Sequence, residues 1–122
     1  MAIDGDAVAA HALFMQAWES RRDDYEASIA AHFVARHQLT PEETLRWNRL
    51  ALEHAEAVSD DRAKELLASL HLNLGDSYRL LGQYLEAKVA VTQGLSSLEY
   101  LPEGGYRDFV AGALQRLQER LS

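Results

Sequence analysis

Residues 68–95 read ASLHLNLGDSYRLLGQYLEAKVAVTQGL, and their spacing sets the architecture. Leu67, Leu70, Leu74, Tyr78 and Leu81 recur at intervals of three and four, the period at which side chains share one face of an α-helix. Gly82 ends that helix, because glycine takes the left-handed conformation beyond a helix C-terminus without a side-chain clash. A new helix starts at Tyr84 and runs to about Leu98, with Ala87, Val91, Leu95 and Leu98 on its apolar face. So short a turn brings the chain back antiparallel, as a helical hairpin.

The same signals delimit helices on either side. Ser59-Asp60-Asp61 caps the helix that carries the Leu67–Leu81 stripe. Upstream, Thr40-Pro41-Glu42-Glu43 combines an N-cap hydroxyl, a proline at the first helical position and a Glu three residues after the cap. The Thr40 oxygen is expected to accept from the Glu43 amide while the Glu43 carboxylate reaches back to the Thr40 amide. That helix carries Leu45, Asn48, Leu52 and Ala55 and stops near Val58. A helix from about Asp24 to His37 places Tyr25, Ile29 and Phe33 on one face. The first helix, Asp6 to Glu19, has either Val8, Ala12, Met15 and Trp18 or Leu13 and Ala17 as its apolar side. After the loop Leu101-Pro102-Glu103-Gly104-Gly105, a last helix from Tyr106 to Leu121 buries Val110, Ala113, Leu114, Leu117 and Leu121. Its opposite face is polar. Nothing alternates with period two over a useful length, so the fold is all-α, with about six antiparallel helices.

With 122 residues the chain has room for one domain, and 48% hydrophobic with 25% charged residues excludes disorder and low complexity. Cysteine is absent, which removes disulfides, thiolate metal sites and a cysteine nucleophile. The formal charge is −7, and all of the excess sits in residues 1–61, with five Arg and Lys against twelve Asp and Glu. Such a surface repels phosphate, so neither nucleic acid nor an anionic membrane is expected as a partner. No stretch resembles a targeting signal or approaches the roughly 18 apolar residues of a membrane span, and a cytoplasmic location is the expectation.

Internal repetition is the next signal. Leu74-Gly75, Tyr78, Gly82, Tyr84 and Ala87 have the offsets of a tetratricopeptide repeat, and residues 60–98 resemble that family, of the short bacterial type. Gly75 would let the partner helix approach closely, while Tyr84 and Ala87 pack the returning helix. An earlier, degenerate copy over residues 24–58 lies 43 positions away: His32 stands for Gly75, Ala35 for Tyr78, Thr44 for Ala87 and Ala51 for Gly94. The standard repeat is about 34 residues, so the extra length goes into longer helices or the Ser59-Asp60-Asp61 region. The copies depart from the family at His71, at the displaced Pro102 and at Ala31-His32, where the Leu-Gly pair has no counterpart. Helices 6–19 and 106–121 flank the two copies, the second as a cap.

The resemblance implies a concave surface that holds a protein or peptide segment. Its groove positions fall on Ile29, Phe33, Arg36 and His37 in the first copy and on Leu72, Asn73, Asp76, Arg79 and Leu80 in the second. Arg36 and Arg79 are again 43 apart and could grip one carboxylate with Asn73 beside them. Alternatively Arg79 pairs with Asp76 or Glu86 and Arg36 points to solvent. We favour the second reading, because surface pairs are worth only roughly 0–1 kcal/mol and are common.

The histidines His11, His32, His37, His54 and His71 show no i, i+4 pair, and without cysteine a zinc site would need carboxylates from elsewhere. Packing is expected for His32 and His71, and a helix C-terminus for His37. Trp47 is expected in the core. No phosphate loop, nucleophile elbow, zinc-protease motif or dinucleotide fingerprint occurs, so no catalytic residue, metal or cofactor is assigned. Asp23-Asp24 and Asp60-Asp61 are read as helix caps. The expected function is a non-catalytic interaction module. A small-molecule- or metal-binding regulator using the His and Arg residues of the first two helices is the alternative, as is a self-associating unit. Two repeats leave apolar surface over, which a homodimer would cover.

Overall fold

A computed structural model describes residues 5–122, with side chains from Asp6 onward. Among the described residues there are six α-helices: α1 (Gly5–Glu19), α2 (Asp24–Ala35), α3 (Pro41–Ala57), α4 (Leu67–Leu80), α5 (Tyr84–Ser97) and α6 (Gly105–Leu121). Two tight 3-10 turns, Asp61–Leu66 and Leu98–Tyr100, precede α4 and follow α5. The fold is all-α, and no described helix is long and apolar enough to cross a membrane.

Caps account for most of the boundaries. Asp23 accepts the Glu26 amide at 2.8 Å and starts α2, and Thr40 accepts the Glu43 amide at 3.2 Å and starts α3. The expected return bond from Glu43 does not form; its carboxylate instead takes the Arg46 guanidinium at 2.8 Å. Asp60 caps the 3-10 turn by accepting the Arg62 amide at 3.0 Å, so the α-helix proper begins later than the acidic cap suggested, at Leu67. At the end of α4, Gly82 has φ +74°. Its amide donates to Arg79 and the Gln83 amide to Tyr78, the paired bonds of a Schellman turn.

α2 packs on α3 and α4 on α5 as two antiparallel hairpins. Gly75 sits at the second crossing, where an added Cβ would lie 3.4 Å from Ala90 Cβ and 3.1 Å from Leu117 of α6. Gly94 is tighter still, at 2.7 Å from Leu114 and 3.3 Å from His71 Cβ. In the first hairpin the equivalent positions are Ser28 and Ala51, where the Ser28 hydroxyl donates to the Ala51 carbonyl at 2.7 Å. The 43-residue interval also reaches α6: Ala31, Leu74 and Leu117 are all buried, as are Ser28, His71 and Leu114. α6 packs against both α4 and α5, whereas α4 meets the first hairpin chiefly through α3.

The buried apolar residues fall into one cluster around Ala31, Val34, Trp47, Ala51 and Leu70 and two around Val110 and Leu114 and around Val91 and Leu117, the last two sharing Leu72 and Leu95 as half-buried neighbours. Trp47 is buried as expected and meets Trp18 edge-on at 5.1 Å. Asn48 is the polar link between hairpins, its amide donating to Ser77 Oγ at 2.8 Å. Two expectations about packing fail. Of the first expected face of α1, Met15 and Trp18 do turn inward, with His11 and Phe14 beside them, but Val8 is 53% exposed and Ala12 is exposed; of the other, Leu13 at 64% and Ala17 are exposed too. Tyr84 is 56% exposed and leaves the contact with α4 to Ala87, because a wide ring does not fit where the helices run closest.

Candidate functional site

Residues of α2 and of the start of α4 border a common cleft. Ile29, His32 and Phe33 from α2 face Leu66, Ser69 and Leu70, and Tyr106 at the start of α6 stands at the rim. The cleft has a volume of about 280 Å³. Its walls are mostly apolar, with Ser28, Ser69 and His32 as polar members, and from behind the wall the Asn73 amide donates to His32 Nδ1 at 3.2 Å. Burial, with the Arg36 charge adding to it, holds the His32 pKa below its ordinary value, so the ring stays neutral and keeps Nδ1 as an acceptor.

The groove residues expected from the sequence are divided by the structure. Ile29 and Phe33 line this cleft, and Asn73 is joined to it through His32. Leu72 is half-buried against α5 and α6 residues. Asp76 and Arg79 are tied to each other at 2.9 Å, the alternative pairing. Leu80 is exposed. Arg36 and His37 lie elsewhere, because α2 ends at Ala35 and not at the expected His37, leaving Arg36 as its C-cap and His37 beyond it, where Phe14 of α1 stacks on Phe33 at 4.8 Å and on His37 at 5.4 Å. Both turn toward a second cavity of about 500 Å³, beyond the end of α2. Arg36 and Arg79 therefore do not converge on one ligand.

Comparison with family models, with curated proteins and with solved structures finds no match to this chain.

The remaining histidines have packing or pairing partners. His54 donates to Asp24 at 2.8 Å, so Asp24 serves α3 while Asp23 does the capping. His71 is buried in α4, its Nδ1 without a hydrogen-bond partner, and desolvation holds its pKa below the ordinary value. Among the described residues no three His, Asp or Glu side chains cluster in a way that could hold a metal ion. Ser69, Leu66 and Tyr106 escaped the sequence reading. Ser69 lies four residues before Asn73 on the same face of α4, a spacing that could have found it. Tyr106 reaches the cleft only through the tertiary placement of α6.

Proposed function

We propose that this chain is a non-catalytic interaction module of tetratricopeptide-like type, holding a peptide segment of a partner protein in the cleft between α2 and α4. The observation that carries it is the cleft itself: an open, mostly apolar slot between successive hairpins, lined by His32, which Asn73 hydrogen-bonds from behind. Apolar walls with a few placed polar groups suit one inserted side chain and one or two backbone hydrogen bonds. The close helix contacts at Gly75 and the glycine turn at Gly82 support the family resemblance. A partner that engages here would contact Ile29, Phe33, Ser69 and Tyr106 first.

Selection of a random peptide library on the immobilised protein tests this. Wild type should enrich peptides that share one large apolar residue, and Ile29→Asp and Tyr106→Ala should lose them while keeping their helical far-UV signal. Equal enrichment on wild type and both variants would reject the cleft.

Self-association is a second reading, favoured by Leu85 and Val89, which stand exposed one turn apart on the outer side of α5. It requires a mass in light scattering that rises with concentration.

A further inference from the structure

The cavity beyond the end of α2 differs in chemistry from the cleft. It is bounded by Ala7, Val8 and His11 of α1, by Arg36 and Leu39 from the α2–α3 connection, and by Thr40 at the start of α3. At about 500 Å³ it falls inside the range of about 300–1,000 Å³ typical of small-molecule sites.

Its polar groups are unequally engaged. Gln38 donates to the Val34 carbonyl at 3.0 Å, and the Glu43 carboxylate is held by Arg46 at 2.8 Å, so both are already satisfied. Arg36 is different. Arg22 and Arg46 in the same half of the chain have Glu26 and Glu43, but among the described residues no carboxylate forms an ion pair with Arg36. Its guanidinium lies 6.0 Å from the Phe33 ring centre, too far to satisfy five N–H donors. Thr40 accepts the Glu43 amide through its oxygen, which leaves its hydroxyl hydrogen free to donate. The Nδ1 of His11 is buried with no partner. Two donors, the Arg36 guanidinium and the Thr40 hydroxyl, therefore line the cavity without protein acceptors, while Val8, Ala7 and Leu39 offer apolar wall.

A ligand that answers this inventory brings a single anionic group of planar, bidentate geometry and an apolar body. A doubly charged phosphate fits less well, since one guanidinium stands amid an acidic half of the chain. We propose that the cavity binds a small organic monocarboxylate, its carboxylate on Arg36 and Thr40 and its apolar body against Val8 and Leu39. The site is separate from the α2–α4 cleft, so it stands or falls independently of peptide binding there.

The test titrates phenylacetate, hexanoate and the neutral phenylacetamide into the isotope-labelled chain and follows its backbone amide resonances. Saturable shifts from both acids are expected at Val8, Leu39 and Thr40, with phenylacetamide about tenfold weaker than phenylacetate. Arg36→Gln alters an exposed side chain and should erase that difference while leaving the rest of the spectrum in place. Three results would overturn the proposal: no saturable shift from either acid at millimolar concentration, equal binding of acid and amide, or acid binding unchanged by Arg36→Gln. Shifts confined to Ile29 and Ser69 would likewise refute it.

Discussion

The hydroxyl of Ser28 donates to the carbonyl of Ala51 at 2.7 Å, and 43 positions later His71 and Gly94 meet in the same relation. In one hairpin the helices are joined by a buried hydrogen bond, in the other by removal of a side chain. Ser28→Ala should therefore lower stability by about 1 kcal/mol, the net worth of one buried neutral hydrogen bond. Urea melts with an unchanged slope would check it; no change in midpoint would mean that the bond contributes nothing.

The two close-contact glycines should respond unequally to alanine. At Gly94 the new methyl would lie 2.7 Å from Leu114 Cδ2 and 3.3 Å from His71 Cβ, so the fully buried Leu114 must turn within a filled core and Gly94→Ala should cost about 1–3 kcal/mol. At Gly75 the nearest atom stands at 3.1 Å, and the helix-propensity gain of about 1 kcal/mol offsets much of the strain. Thermal melts should rank Gly94→Ala well below Gly75→Ala, and the reverse order would contradict the packing at these crossings.

Asn48 should be costly to lose. Its amide is buried between α3 and α4, with Ser77 Oγ at 2.8 Å, so Asn48→Ala removes a hydrogen bond and leaves the Ser77 hydroxyl without that donor. A loss of about 2 kcal/mol is expected, measured by chemical denaturation. Because this residue joins the two hairpins, hydrogen exchange in the variant should quicken in α2 and α3 more than in α5.

His32 and His71 give the chain a defined response to acid. Both have folded-state pKa values below the ordinary 6.5, through burial first and, for His32, the Arg36 charge second. As pH falls below about 6.5 the unfolded chain takes up protons at these rings while the folded chain does not, so stability drops. The loss continues until pH reaches the depressed folded-state values. His71→Leu removes the unpartnered Nδ1 and should flatten part of this slope. An identical pH dependence in the variant would exclude His71 as a contributor.

Much of this architecture is legible in the residues because local chemistry fixes it. Thr40-Pro41, Asp23 and Gly82 each set a helix end through backbone groups within a few positions, and the structure places those ends as the sequence predicts. The burial of Val110, Leu114, Leu117 and Leu121 follows from a stripe with a polar opposite face. α1 is different: Ala7, Val8, Ala9, Ala10, Ala12 and Leu13 are apolar all round, so periodicity cannot say which side is buried. Its inward side is chosen by Phe14 meeting Phe33 and Trp18 meeting Trp47. Arg36 and His37 leave the face they would share by spacing with Ile29 and Phe33 because α2 stops at Ala35, two residues short of the expected end. The Glu43 return bond failed for a similar reason, since Arg46 one turn ahead is the stronger partner for a carboxylate.

The central claim is that the α2–α4 cleft is the binding face, and the footprint of a selected peptide tests it most directly. Amide resonances of the labelled chain should shift on peptide addition at Ile29, His32, Ser69 and Asn73, with Leu85 and Val89 on the outer side of α5 unmoved. Shifts centred on Leu85 and Val89, with the His32 and Asn73 signals unchanged, would contradict it.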